Sequence, residues 1–473
     1  GSGSLMALTA AIIGSGIGGL AAGIRLVRLG YQVTIYETLP YPGGKAAGVA
    51  LEGHAIDSAP TVIRMPHLLA QVLKAGGKSL ADIERATLLQ THYRIFKTPN
   101  HWLDIENNRA NTTDNIAQFS STDANRYEDF LERANLLYQQ SFATSPEQNS
   151  EKPSVFASLK HKAASAVSTG SLMQEVQSYF SDDFIQQAFS FYPLFYGRNP
   201  YDDNPQSLLL HAIEQQWGIL SVKDGLKTII AEMVEVFDDL GGKIVLNSPV
   251  EQITLEKRKA VSLRLSSGLP KTYDAIISNL SPYTTQQLLD RSSMPQTPNR
   301  RLSSSFFLLH IVHDAAVDHL SLHNILTTHT YKDTMQLLFS KQRLPPDPWL
   351  YLYNPEIGNE SLRSLLVLTP VPNLTAKIDW HKEVFPFRDT IVRKMESYLP
   401  GFSNHIIYEK ATTPLHFRDQ YDLPAGSILF PPVKAAYDNL YYVGDNTWNG
   451  LGMIAALSSA EQVAKEIAVQ NPI

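Results

Sequence analysis

The chain has 473 residues, of which 43% are hydrophobic and 18% charged, with a formal net charge of -6 and no cysteine. That length exceeds what one hydrophobic core serves, so two domains are expected. The missing cysteines exclude disulfides, thiolate metal sites and a cysteine nucleophile, and the acidic balance without a Lys/Arg run speaks against nucleic-acid binding.

The first element is expected at Ala10-Ala11-Ile12-Ile13, an apolar run that reads as a buried parallel strand. Gly14-Ser15-Gly16-Ile17-Gly18-Gly19 then opens a helix, and Val33-Thr34-Ile35-Tyr36 forms a second strand closed by Glu37. In this setting Gly14 permits a tight turn, Gly16 lets backbone approach a pyrophosphate, and Gly19 lets the helix pack closely on the strand. The pyrophosphate would rest at the helix N-terminus, where free N–H groups and the helix dipole favour negative charge. Glu37 would accept hydrogen bonds from ribose hydroxyls, so these residues alone predict an adenine dinucleotide site.

A second turn follows at Pro42-Gly43-Gly44-Lys45, then the segment Ala59-Pro60-Thr61-Val62-Ile63. From about residue 76 to 218 the chain becomes polar and helix-prone, with little β-periodicity. Within it, residues 145–153 read as an exposed loop, and Phe189 to Tyr196 form an aromatic run. Short strands are expected at residues 243–247, 250–254, 260–265 and 275–278. A second excursion covers about 295–410 and contains strand-like stretches at residues 305–312 and 365–372. Asn439 to Asp445 form a strand ending in a Gly-Asp pair, and Gly450-Leu451-Gly452-Met453 opens a helix to about Val469. No apolar stretch approaches the roughly 20 residues needed to span a bilayer. A cytoplasmic protein is therefore expected, with attachment to one leaflet left open.

Together these blocks resemble the bacterial and fungal phytoene (carotenoid) desaturase family within the amine-oxidase-like FAD flavoproteins. Pro42-Gly43-Gly44-Lys45, Ala59-Pro60-Thr61-Val62-Ile63, Tyr196-Gly197-Arg198-Asn199-Pro200-Tyr201, Ile213-Glu214-Gln215-Gln216-Trp217-Gly218, Ser278-Asn279 and Asn439 to Gly444 are similar to that family's marks, in its order. The resemblance implies an α/β fold, with a Rossmann-like FAD-binding domain of parallel sheet plus β-meander from residues 8–75, 219–294 and 411–473. An α+β domain from residues 76–218 and 295–410 would be inserted to hold substrate and face a membrane.

The resemblance also implies FAD rather than NAD, a hydrophobic polyene substrate, and desaturation of a C–C bond by hydride transfer to flavin N5. Gly14, Ser15, Gly16, Ile17, Gly18 and Gly19 would hold the pyrophosphate, and Glu37 the adenosine ribose. Gly43, Gly44 and Lys45 would lie near the phosphates, and Val250 would place its backbone at the adenine. Pro60, Thr61 and Val62 would lie near the isoalloxazine. Gly444 and Asp445 would serve the ribityl chain or phosphate, and Gly452, Met453 and Ile454 the pyrimidine edge. A membrane surface is the expected partner; the electron acceptor (O2 or a quinone) and the oligomeric state stay open.

The chain departs from the family at Asn446-Thr447-Trp448-Asn449, at Asp224-Gly225-Leu226, and in a short stretch between Pro432 and Asn439. These changes surround the flavin and the substrate side. They keep alive a flavoenzyme that modifies, cyclises or isomerises a polyene polyketide, with an amine oxidase and a flavin-free prenyl-binding escort protein further behind. Trp448 is read as a flavin cap or as packing, the aromatic run as a tunnel lining or as core, and Tyr93 and Arg94 as candidates near the substrate head. His310 and His313 read as strand histidines with no metal, and no catalytic acid or base can be assigned.

Overall fold

The computed structural model describes residues 6–59, 62–142, 170–266, 268–289, 302–355, 361–429, 437–447 and 451–473. Residues 145–153, Pro60, Thr61, Trp448, Asn449 and Gly450 lie outside these, so the expectations placed on them have no structural counterpart here.

The apolar runs at the two chain ends and in the middle meet in one parallel five-stranded sheet. Its order is Lys243–Val245, Gln32–Tyr36, Thr9–Ile13, Ala275–Ser278 and Leu440–Tyr442. Ala10, Ala11 and Ile12 are fully buried, because helices cover one face and a second sheet the other. The first helix, Ile17–Arg28, and the last, Met453–Gln470, pack in the same core. Ala21, Ala22, Ala455, Ala460 and Ala464 face this region without long side chains, so the two backbones approach closely. The β-meander is present as Val250–Glu256, Lys259–Leu265 and Lys271–Thr272, paired antiparallel on the opposite face.

A second, seven-stranded sheet runs in the order Ile406–Thr412, Ser305–His313, Arg363–Val371, Leu350–Tyr353, His323–Leu326, Thr91–Thr98 and His101–Glu106. Its pairs are antiparallel except His323–Leu326 with Thr91–Thr98, which is parallel. The hairpin Thr91–Glu106 corrects the sequence expectation of a helix-prone segment with little β-character. His92, Tyr93, Ile95 and Phe96 are all buried, so both faces of this strand are covered and no polar alternation is left to read. A short antiparallel sheet of Ile63–Arg64, Ile219–Ser221 and Thr87–Leu88 connects the two larger units. Among the described residues, no helix is long and apolar enough to cross a membrane.

Candidate functional site

The C-terminal edge of the parallel sheet gathers the glycine turns. Gly14 turns at φ 98° and donates its N–H to the Tyr36 carbonyl at 2.8 Å, tying the loop to the second strand. A Cβ on Gly19 would lie 2.2 Å from the Gly14 carbonyl oxygen, so only glycine lets the helix start this close to the strand. Gly16 is the N-cap of that helix and has no side chain to cap it. Ile17 and Gly18 occupy the first turn.

Glu37 is 6% exposed; one carboxylate oxygen accepts from the Ser15 N–H at 3.1 Å and the other from the Leu39 N–H at 3.1 Å. The second turn docks onto the first. Gly43 donates to the Ser15 carbonyl at 3.0 Å, and Gly44 faces Gly16 closely enough that its Cβ would lie 3.5 Å from the Gly16 Cα. Val250 begins the meander strand just after Ser248, whose N–H donates to the Glu37 carbonyl at 2.8 Å.

Opposite these turns, Gly444 donates to Ser459 Oγ at 3.0 Å, and Asp445 reaches back to Lys45 Nζ at 3.4 Å. Both of those side chains are half exposed, so the pair contributes little stability and leaves both charges reachable. Gly452 caps the last helix, again without a side-chain cap, and Met453 and Ile454 are buried in its first turn. Neither the first nor the last helix carries an acidic residue in its first turn. Two glycine-capped helix N-termini thus border one sheet edge, an arrangement suited to a long ligand with an anionic middle. Val62 is partly buried and leads directly into the Ile63–Arg64 strand.

Beyond Val62 lies a buried polar cluster of which reading the sequence gave a site role only to Tyr93. Arg64 Nη2 donates to the Tyr93 hydroxyl at 3.2 Å, and Arg64 Nε lies 3.5 Å from Glu214 Oε1. Tyr93 donates to Glu214 Oε1 at 2.9 Å, and Tyr192 to Glu214 Oε2 at 3.0 Å. The Arg64 and Glu214 side chains are only 11% and 2% exposed, so this is a largely buried ion pair. Burial opposes the guanidinium charge, but the Tyr93, Glu214 and Tyr192 oxygens outweigh it and hold the Arg64 pKa above its ordinary value. Burial also raises the Glu214 pKa, against the pull of Arg64 and the two hydroxyls.

Tyr93 and Arg94 therefore part company. Tyr93 joins this cluster, whereas Arg94 forks onto Asp104 at 2.8 and 2.9 Å and caps the His319 carbonyl at 2.7 Å. The aromatic run packs against the seven-stranded sheet: Phe189 and Phe191 are fully buried, and Phe195 meets Tyr351 edge-on at 4.9 Å. His310 Nε2 lies 3.0 Å from the Ser58 carbonyl, and His313 Nδ1 accepts from the Ala315 N–H at 3.2 Å. Among the described residues, no three His, Asp or Glu gather to hold a metal ion.

Burial pushes the imidazoles of His92, His310 and His313 down to about 4, and those of His211 and His323 down to about 3. An imidazole held neutral contributes stability above its unfolded pKa and loses it as pH falls towards the folded value. Asp57, pushed up to about 6 by burial, has the opposite sign: its contribution is present in acid and lost as pH rises through about 6. The five histidines outnumber the three raised carboxylates, Asp57, Asp203 and Glu214, so stability is expected to fall as pH drops from about 6.5 towards 4. Thermal unfolding across that window checks this, and a flat midpoint would contradict it. Asp57→Asn is expected to raise the midpoint above pH about 6 and to leave it unchanged in acid.

Residues 17–311 match the model of the flavin-containing amine oxidoreductases. The chain is 30% identical to a lycopene-forming phytoene desaturase of Pseudescherichia vulneris, covering 96% of this chain and 97% of that one. It is 27% identical to a neurosporene-forming phytoene desaturase of Cereibacter sphaeroides, covering 96% and 94%. It is 26% identical to a 4,4'-diaponeurosporene-forming diapophytoene desaturase of Staphylococcus haemolyticus, covering 96% and 97%. Among solved structures, an oxidoreductase from Methanosarcina mazei superposes with a TM-score of 0.64 at 17% identity, covering 97% of this chain and 100% of that one. Wild-type putrescine oxidase bound to putrescine superposes at 0.65 with 13% identity, covering 98% and 99%; at such identities the likeness is one of fold.

Proposed function

The chain belongs to the flavin-containing amine oxidoreductase family, and we propose that within it the protein is an FAD-dependent desaturase of a hydrophobic, carotenoid-type polyene. The observation that carries this reading is the near full-length likeness to carotenoid desaturases that differ in their products.

The residues present fit FAD. The crowded glycine turn, the buried Glu37 carboxylate and two helix N-termini without side-chain caps together offer an anion cradle and a ribose acceptor at one sheet edge. In this reading Gly14 to Gly19 take the pyrophosphate, Glu37 the adenosine ribose and the Val250 backbone the adenine. Gly43, Gly44 and Lys45 lie near the phosphates, and Gly444 and Asp445 serve the ribityl chain or phosphate. Pro60, Thr61 and Val62 border the isoalloxazine, and Gly452, Met453 and Ile454 meet its pyrimidine edge. Bound FAD supplies a two-electron, hydride-accepting centre. The chain itself supplies orientation and dryness: Phe191, Phe195, Trp349 and Tyr351 pack tightly beyond the Val62 segment and exclude water.

Residues 8–75, 219–294 and 411–473 would form the cofactor domain, and residues 76–218 and 295–410 the substrate domain. The parallel sheet draws every strand from the first set, which supports that division. A polyene dissolved in a bilayer calls for docking at a membrane surface, with reoxidation by O2 or a quinone. Producing the chain in cells that accumulate phytoene tests the reading. Extracts should gain polyenes with more conjugated double bonds and longer-wavelength absorption. Unchanged phytoene in cells holding the flavin-loaded protein would overturn it.

A further inference from the structure

Ser278-Asn279 ends the strand that lies between the first and last strands of the parallel sheet. The Asn279 N–H donates to the Ile13 carbonyl at 2.8 Å, which fixes its backbone beside the start of the glycine turn. Its side chain sits where the turns converge. A Cβ on Gly16, Gly18, Gly19 or Gly444 would lie 2.5, 3.0, 3.1 or 2.9 Å from the Asn279 amide. The glycines are therefore small to make room for this side chain as well as for a ligand. In the amide orientation that satisfies both ends, the oxygen accepts from the Gly16 N–H at 2.9 Å and the Gly19 N–H at 3.3 Å. The nitrogen donates to the Val443 carbonyl at 3.2 Å.

A helix N-cap residue ordinarily uses its own side chain to accept from the N–H two or three positions on. Gly16 has none, and Gly19 is the third position of this helix. Asn279 performs that capping from a different strand. With Ser15 donating to Glu37 and Gly16 and Gly19 donating to Asn279, the N–H groups of Ile17 and Gly18 are the first-turn donors left unengaged among the described residues. The same amide holds Val443, the residue before Gly444 and Asp445, and so joins the two halves of the edge.

We infer that Asn279 is a cofactor-positioning residue that aims the first helix at the FAD pyrophosphate and locks that half of the site to the Gly444-Asp445 half. This rests on the FAD reading above. Its particular signature is that it acts on the phosphates and not on the adenosine, which Glu37 and the Val250 region hold independently.

The test titrates apoenzyme of wild type, Asn279→Ala and Asn279→Asp with FAD, ADP and adenosine by calorimetry. Asn279→Ala is expected to weaken FAD and ADP by roughly 10- to 100-fold, the scale of a lost cap plus an orphaned carbonyl, and to leave adenosine unchanged. Asn279→Asp keeps the acceptor but sets a negative charge beside the phosphates. It should weaken ADP most at low salt and recover as salt screens the repulsion. Equal losses for ADP and adenosine, or no loss for either, would overturn the inference in favour of a purely structural cap. Where Asn279→Ala does not fold, Asn279→Ser and Asn279→Asp carry the same ADP-against-adenosine comparison. A wild type that binds no FAD would instead sink the cofactor reading, so the two failures are distinguishable.

Discussion

Replacing Glu214 by glutamine is expected to destabilise the protein by about 3–5 kcal/mol, read as a large fall in the urea midpoint at constant slope. The amide keeps the shape, and its oxygen in the Oε1 position faces both hydroxyls while its NH2 replaces the Oε2 acceptor, so the loss is chiefly that of the charge. Arg64 cannot shed its proton, and without Glu214 it becomes an uncompensated cation in a largely buried site. Arg64→Met should cost less, about 1–3 kcal/mol, because the orphaned carboxylate can take up a proton that burial already favours. That variant should also lose stability as pH rises, since its remaining group has a raised folded pKa. The double variant Arg64→Met/Glu214→Gln should recover most of the loss, because a buried ion pair replaced as a unit is often neutral. A Glu214→Gln midpoint equal to wild type would show that the pair is not buried as described.

The second large effect is expected at Gly19. An alanine there would place its Cβ 2.2 Å from the Gly14 carbonyl oxygen, which is backbone and cannot swing aside. The helix start must then move away from the turn, at an overpacking cost of about 1–3 kcal/mol, or about 5- to 150-fold in FAD affinity if the cost falls on the bound geometry. Flavin absorbance per protein after dialysis reads this directly. Gly268→Ala is the control, because nothing lies within 4 Å of its Cβ and its φ is not left-handed. Retention of flavin by Gly19→Ala to the extent shown by Gly268→Ala would contradict the crowding argument.

Gly14 to Glu37 were legible because the motif is contiguous and each glycine answers one local steric demand. The strand-turn-helix at Leu440 to Met453 was legible for the same reason: an apolar run, a Gly-Asp pair and a helix start follow one another in the chain. The Arg64–Glu214 cluster was not. Its members come from a two-residue strand, a hairpin, a short 3-10 turn and a helix, and apart from Tyr93 none shows a role where it stands in the chain. Only the tertiary fold brings the charges together. In the first strand of the hairpin, Thr91–Thr98, burial on both faces removes the period-two pattern that marks a half-exposed strand; His101–Glu106 keeps its alternation but is only six residues long within a polar stretch. Asn279 stood out as a family mark without a role, since its partners lie on two turns at opposite ends of the chain.

Desaturation differs from isomerisation in where the electrons go, and the flavin reports this directly. Mixing the FAD-loaded enzyme with phytoene in lipid vesicles, without oxygen, should bleach the flavin absorbance in step with the formation of a more conjugated polyene. Flavin that stays oxidised while the polyene changes only its geometry or ring closure would contradict the desaturase assignment.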